Sequence, residues 1–173
     1  MKPVPLPPVE DLWRLWPLVS VPDAIQRRDL ALTAHHEAGH VVLMEWAGVI
    51  PSEATASAGN GLARFAPEQF ADAPDSVDLN NPTAAAQAAA VYHAGIVAEL
   101  IFAGLPWQGI TVRRSSTDWA SAREIMRACF GNGTAGHGYS QRVAYAVLTN
   151  QWPRVQAIAE RLISDGVWKY SSE

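Results

Sequence analysis

The run His36-Glu37-Ala38-Gly39-His40 combines two histidines and a glutamate at a spacing that suits metal chemistry. Positions four residues apart on an α-helix are separated by just over one turn, so both imidazoles project from one face. One Zn²⁺ could take a nitrogen from each ring at about 2.0–2.1 Å. Glu37 would lie beside the metal and could pass a proton from water to a leaving amine. The pattern predicts His36 and His40 as zinc ligands and Glu37 as the catalytic carboxylate.

A catalytic zinc ion usually has three protein ligands and one open position, so a later segment must supply the third ligand. The candidates are His93, Glu99, Asp118 and His137. Glu99 lies in an otherwise apolar stretch, where an unpaired carboxylate is costly. Asp118 lies at a predicted helix start, where an acid also serves as a cap. These arguments leave Glu99 and Asp118 both open, and His35 is expected to be a surface or packing residue.

The elements that must position these residues are mainly helical. Helical patterns run from about residue 22 to 46, from 82 to 103, from 117 to 130 and from 140 to 165, the last one interrupted near Trp152-Pro153. Asn81 suits an N-cap, and Pro82 suits the first helical position that follows it. A Ser/Ala/Gly-rich stretch at 57–61 predicts a turn between two strands, and residues 67–80 are acidic and irregular. We expect four main helices and one small β element.

Composition restricts the classes of partner. The net charge is −4, and Arg27-Arg28 and Arg113-Arg114 are the only adjacent basic pairs, so we expect no nucleic-acid binding. The single cysteine excludes an internal disulfide. The N-terminus lacks the apolar core of a signal peptide, and the longest uncharged run, 79–98, is too polar for a lone membrane span. We therefore expect a cytoplasmic protein without a membrane span.

Three blocks of the sequence resemble the peptidase domain of the FtsH family of AAA-linked zinc metalloproteases. The first is residues 33–42, Thr-Ala-His-His-Glu-Ala-Gly-His-Val-Val, which is similar to the zinc-site helix of that family. The second, residues 94–104, is similar to the family's Gly-Gly-Arg-x-Ala-Glu-Glu-x-x-Phe-Gly helix. The third, Ser115-Ser116-Thr117-Asp118, falls where the family has Gly-Ala-Ser-Asn-Asp. The sequence departs from the family at Ile96, Leu100 and Thr117.

The resemblance implies roles that the residue arguments leave open. It implies Asp118 as the third zinc ligand and Glu99 as an acid beside the ligands rather than on the metal. It also implies that a strand next to the site contacts extended substrate, and this strand would comprise Gly61, Leu62, Ala63, Arg64 and Phe65. The implied fold is a zincin-like, mainly α domain with a small β-hairpin beside the zinc cleft, and the resemblance covers roughly residues 29–165. We expect the whole domain to span residues 21–173. Residues 1–20 would form a proline-rich arm and a short helix.

The resemblance and the motif together predict a zinc metalloendopeptidase that cleaves unfolded or flexible polypeptides. The alternative is a zinc-binding, peptidase-like regulatory or adaptor protein with little or no turnover. Retention of Glu37 favours the enzyme, because metal binding alone does not require it. The sequence contains no phosphate-binding loop that could drive an ATPase motor. The partners expected are a polypeptide substrate and either a separate ATPase or further copies of this chain.

Overall fold

The computed structural model describes residues 3–65, 78, 80–107 and 109–171. These residues form five α-helices: α1 (Leu30–Trp46), α2 (Pro82–Phe102), α3 (Thr117–Phe130), α4 (His137–Asn150) and α5 (Trp152–Asp165). They also form five short strands: β1 (Leu18–Ser20), β2 (Pro51–Ser57), β3 (Asn60–Phe65), β4 (Thr111–Arg113) and β5 (Val167–Lys169). The predicted mainly helical domain with a small β element is confirmed.

The first long helix begins later than its pattern predicts. Pro22 precedes a single 3₁₀ turn, Asp23–Ile25, and α1 begins only after Asp29. The Asp29 carboxylate accepts a hydrogen bond from the Leu32 backbone N–H at 2.8 Å. An aspartate in this position satisfies a free N–H at the helix end, so it favours a helix start over a helix interior. The predicted start near residue 22 was therefore wrong, and the predicted end at Trp46 was right.

Helix α2 lies at the centre of the fold and follows the prediction closely. The Asn81 side chain accepts hydrogen bonds from the backbone N–H groups of Thr83 and Ala84, and Pro82 opens the helix. Half of its buried residues are alanine: Ala85, Ala86, Ala89, Ala90, Ala94 and Ala98. Helix α2 is long and apolar enough to cross a membrane, yet 67% of that apolar window is buried inside the fold. A buried core helix passes the same test of length and composition, so the helix is weak evidence for a membrane span.

The C-terminal half contains one helix more than predicted. Helix α3 matches the predicted range, and α4 begins at His137 rather than Ser140. The predicted stretch up to residue 165 is two helices, because the chain breaks at Gln151 and α5 starts with Pro153 in its first turn. Proline lacks a backbone N–H and fits a first turn but not a helix interior. The total is five helices within the described residues, not four.

Strands β2 and β3 form the predicted hairpin, with a turn narrower than the Ser/Ala/Gly-rich stretch suggests. Ser57 pairs with Asn60, so only two residues lie between the strands. The sheet order is β3-β2-β5, which leaves one side of β3 unpaired within the described chain. The sequence patterns missed the three-residue strands β1, β4 and β5, of which β1 and β4 pair in parallel. Most of the acidic segment 67–80 lies outside the described residues.

The segment before residue 21 packs onto the rest of the molecule. Leu12 and Trp16 are buried, and β1 extends the contact through its pairing with β4. The Tyr139 hydroxyl donates a hydrogen bond to the backbone carbonyl of Pro7 at 3.1 Å. The division into an arm and a domain at residue 20 stays a prediction, but the arm contributes side chains to the core.

The Gly39→Ala substitution tests how tightly α1 and α2 approach each other. A Cβ at Gly39 would lie 2.7 Å from the Ala94 carbonyl oxygen and 2.8 Å from the Ala98 Cβ. Alanine improves helix propensity by about 1 kcal/mol, whereas overpacking a core costs about 1–3 kcal/mol. We expect the variant to lower the free energy of unfolding measured by urea denaturation. Gly133→Ala is the control, because no atom lies within 4 Å of its Cβ position. A stabilised Gly39→Ala protein would contradict the close approach.

Candidate metal centre

Helix α1 directs the two histidine rings of the motif to the same point. The Nε2 atoms of His36 and His40 are 3.1 Å apart. The Nδ1 atoms point the other way, His36 Nδ1 to the Glu99 carboxylate at 2.6 Å and His40 Nδ1 to the Val91 carbonyl oxygen at 2.7 Å. Both partners are acceptors, so each Nδ1 carries the hydrogen, and a neutral ring then presents a lone pair at Nε2. Both lone pairs face the same small volume.

Asp118 supplies a third acceptor to this volume. Its Oδ2 lies 3.1 Å from His36 Nε2 and 3.4 Å from His40 Nε2. Asp118 does not cap α3, because the Ser116 hydroxyl accepts the hydrogen bond from the Trp119 backbone N–H. Its carboxylate is therefore available to the histidines. Together His36, His40 and Asp118 form the acceptor cluster.

The dimensions and chemistry of the acceptor cluster fit a zinc ion. Tetrahedral bonds of about 2.0–2.1 Å place neighbouring ligand atoms about 3.3–3.4 Å apart. The three separations in the cluster, 3.1, 3.1 and 3.4 Å, are close to this value. Two imidazole nitrogens and one carboxylate oxygen form a donor set that zinc accepts, and it leaves a fourth position open. Three acceptors at this distance repel one another unless positive charge lies between them.

The pKa shifts of His40 and Asp118 also indicate that positive charge is favoured within the cluster. Burial lowers the pKa of His40, but the hydrogen bond with Asp118 and the Asp118 charge outweigh burial and raise it to about 9. Burial raises the pKa of Asp118, yet the hydrogen bonds with His36 and His40 hold it well below its usual range. Asp118 is therefore ionised at neutral pH. Either protons or a metal cation can compensate its charge.

Glu37 lies beside the acceptor cluster on the next position of α1. It is 4% exposed, and burial raises the pKa of its carboxyl group, opposed by the nearby His40 and His36. A raised pKa makes a carboxylate a better proton acceptor near neutral pH. Gly61 of β3 lies directly against it, since a Cβ at Gly61 would come within 2.5 Å of Glu37 Oε1. A side chain at this position would force the Glu37 carboxylate to move.

Glu99 contacts the His36 ring at Nδ1, on the side away from the acceptor cluster. It is fully buried, and both of its oxygens accept hydrogen bonds from Arg114 at 2.7 Å. Burial raises the pKa of Glu99, but the hydrogen bonds from His36 and Arg114 outweigh burial and lower it. The ionised carboxylate orients the His36 ring, as acids beside metal-bound histidines commonly do. Because the Glu99 oxygens are engaged by His36 Nδ1 and Arg114, Glu99 is not part of the acceptor cluster.

Sequence reasoning missed Arg114. Arg114 also donates to the Ile25 carbonyl oxygen at 2.6 Å, so it joins the segment before α1 to α2. The signal that could have identified it is Glu99 itself, since a carboxylate in an apolar helix needs a cationic or hydrogen-bonding partner. In the sequence, the basic pair Arg113-Arg114 directly precedes the block Ser115-Ser116-Thr117-Asp118.

The remaining histidines lie outside the acceptor cluster. His93 Nε2 and His137 Nδ1 are hydrogen-bonded to each other at 2.9 Å, and the Trp119 ring stacks on His137 with a centroid distance of 4.1 Å. His35 stacks against Phe102 and Trp152, and its Nδ1 donates to the Ala31 carbonyl. His35 is thus the packing residue that its position predicts.

A cleft of about 710 Å³ opens over the cluster. Four of the five residues predicted to contact substrate line it: Gly61, Leu62, Ala63 and Phe65. Arg64 does not; its side chain points outward and lies 3.9 Å from Glu53. The apolar part of the wall comes from α1, α2 and the segment after α1, and includes Met44, Trp46, Val49, Ala88, Val91 and Tyr92. The cleft places an apolar wall next to the acceptor cluster.

No protein-family model matches this chain, and a search of curated proteins finds no significant match. The resemblance to the FtsH peptidase domain therefore depends on the three sequence blocks alone.

Zinc content tests the ligand set. His36→Ala, His40→Ala and Asp118→Ala should each lose tight zinc binding, because each removes one of three ligands. Glu99→Gln keeps all three and should weaken affinity by about 10–100-fold through poorer orientation of His36. Metal analysis after dialysis against a zinc buffer measures this, with the exposed Glu124→Gln as control. Full zinc content in Asp118→Ala together with none in Glu99→Gln would assign the third ligand to Glu99 instead.

The His93–His137 pair predicts a loss of stability in acid. Burial and the neighbouring His137 lower the pKa of His93 to about 3, and burial with the charges of Arg123 and Arg113 lowers that of His137 to about 4. In the unfolded chain both titrate near the ordinary value of 6.5. As pH falls below 6.5, the unfolded state therefore binds protons that the folded state does not. Stability should fall by up to about 1.4 kcal/mol per pH unit for each histidine.

Urea unfolding between neutral pH and about pH 5 measures this loss, with chelator in every sample so that metal release does not contribute. His137→Gln removes one of the two titrating groups and should have a shallower dependence on pH than the parent protein. Equal slopes in the two proteins would contradict a neutral buried pair.

Proposed function

We propose that this protein is a zinc metallopeptidase with a zincin-like fold that hydrolyses peptide bonds in unfolded or flexible polypeptides. The observation that carries the proposal is the convergence of His36, His40 and Asp118 at one point, with the Glu37 carboxylate beside them in an open cleft. Metal binding alone does not require Glu37, which lies outside the acceptor cluster but lines the same cleft. The resemblance of three sequence blocks to the FtsH peptidase domain supports the same reaction.

The residues of the site have distinct tasks in peptide hydrolysis. His36, His40 and Asp118 would hold Zn²⁺, which supplies Lewis acidity that polarises the peptide carbonyl and lowers the pKa of water. Glu37 accepts a proton from the attacking water while the water oxygen bonds to the carbonyl carbon. Glu37 then delivers this proton to the amide nitrogen as the C–N bond breaks, so that a carboxylic acid and an amine leave. Glu99 and Arg114 keep the His36 ring in position throughout.

The edge position of β3 in its sheet, within the described residues, supports an extended polypeptide as the substrate. Strand β3 is the edge of its sheet within the described chain, and its first residues lie against Glu37. A peptide added to such an edge bonds through its main chain, which requires several residues free of their own fold. Stably folded proteins would therefore resist cleavage. Since the sequence has no phosphate-binding loop, we expect cleavage by the purified chain to be independent of ATP.

Glu37→Gln separates catalysis from metal binding. The variant should keep its zinc, because Glu37 is not in the acceptor cluster, and lose activity on a casein-like chain by about 100-fold or more. Glu124→Gln, an equivalent change at an exposed glutamate, should retain both zinc and activity. The measurements are zinc content and release of soluble peptides, with and without chelator.

An active, zinc-loaded Glu37→Gln protein would exclude the proton-transfer role. A parent protein that holds stoichiometric zinc yet cleaves no unfolded chain would instead favour the regulatory or adaptor function.

A further inference from the structure

Arg28 is a cation in the wall of the cleft, close to a carboxylate but not hydrogen-bonded to one within the described residues. Its side chain is 24% exposed, and its nearest carboxylate oxygen, Glu99 Oε1, is 3.7 Å away. That distance is too long for a hydrogen bond. Glu99 already accepts hydrogen bonds from Arg114 and faces His36 Nδ1. Within the described chain the Arg28 guanidinium makes no hydrogen bond, although it lines the same cleft as Glu37.

With zinc bound as proposed, the site would have a net positive charge that one more anion could neutralise. This argument rests on the proposed zinc site. Three carboxylates, Glu37, Glu99 and Asp118, face two guanidinium groups, Arg28 and Arg114. A divalent cation in the acceptor cluster would leave one positive charge in excess. Arg114 is fully engaged with Glu99 and the Ile25 carbonyl. Among the described residues, the excess charge is thus carried by Arg28, whose guanidinium makes no hydrogen bond there.

The backbone of Arg28 lies beside the start of β3, and its side chain lines the cleft. Its carbonyl oxygen is 3.5 Å from the Cβ position of Gly59, just before β3, whereas Gly61 lies over Glu37. Strand β3 runs from beside the Arg28 backbone toward Phe65, which lines the cleft together with Met44. A peptide that pairs antiparallel with β3 would have its C-terminal side at Arg28 and its N-terminal side along the apolar wall. At about 3.4 Å per residue, Arg28 would lie within a few residues of the scissile bond.

We propose that Arg28 binds a carboxylate of the substrate, located within about three residues on the C-terminal side of the scissile bond. A planar guanidinium matches a carboxylate in a bidentate arrangement that a neutral group cannot reproduce. The carboxylate can be the C-terminus of the chain or the side chain of an aspartate or glutamate. Arg28 therefore selects chain ends and acidic sites among otherwise unfolded polypeptides.

Peptide binding tests this selection without requiring turnover. Zinc-loaded Glu37→Gln protein is titrated with four short peptides that share one apolar sequence. The first pair has either a free C-terminal carboxylate or a C-terminal amide. The second pair has a C-terminal amide and carries either Glu or Gln near the C-terminus. The carboxylate peptides should bind about tenfold or more tightly than their neutral partners. This difference should vanish in Arg28→Gln and persist in part in Arg28→Lys. Arg27→Gln removes the same charge from an exposed neighbour and is the matched control.

Comparison of the acid with the amide isolates the terminal carboxylate, and comparison of Glu with Gln isolates the side chain. Cleavage by the parent protein is measured with the same peptides, and the cut sites are mapped by mass. Cleavage with equal binding of acidic and neutral peptides would overturn the inference and leave the peptidase intact. Arg28-dependent binding without any cleavage would support the inference and contradict the peptidase. Failure to bind any peptide would contradict both.

Discussion

The buried ion pair between Glu99 and Arg114 is the contact on which the geometry of the site depends. A fully buried carboxylate is strongly unfavourable on its own, and here two arginine hydrogen bonds and one histidine N–H compensate it. Each partner belongs to a different segment: His36 to α1, Glu99 to α2 and Arg114 to the loop after β4. Asp118 follows Arg114 by only four residues, so the same contact brings the third member of the acceptor cluster to the first two. Loss of this pair would disturb the acceptor cluster without removing any of its members.

Glycines allow the backbone to approach the site where side chains would block it. A Cβ at Gly95 would come within 2.4 Å of the His36 ring, and one at Gly61 within 2.5 Å of Glu37. Gly39 permits α1 to lie directly on the alanine face of α2. Main chain at Gly95 and Gly61 therefore lies directly against the His36 ring and the Glu37 carboxylate. A well-ordered site results from small residues as much as from the polar ones.

The parts of the structure that local sequence specifies were predictable, and the parts that depend on distant contacts were not. Asn81-Pro82 marks the start of α2 because a cap and a first-turn proline act within a few residues. The spacing of His36 and His40 determines their common face in the same way. Strands β1, β4 and β5 are three residues long and exist only through pairing with remote segments, so no periodicity reveals them. The choice between Asp118 and Glu99 as the third member of the acceptor cluster likewise depended on Arg114. No local sequence pattern predicts where Arg114 lies relative to α2.

In the proposed metal site, the order of the three ligands along the chain has a consequence for how the protein matures. His36 and His40 are adjacent on one helix, but Asp118 lies 82 residues after His36. A ribosome therefore releases the two histidines long before the aspartate, and during that interval the nascent chain has only half a coordination sphere. Tight capture of a metal ion at the proposed site would have to wait until α3 docks against α1 and α2. Metal loading would thus be one of the last events of biogenesis, and an ion held there would fasten the N-terminal and C-terminal halves of the finished molecule together.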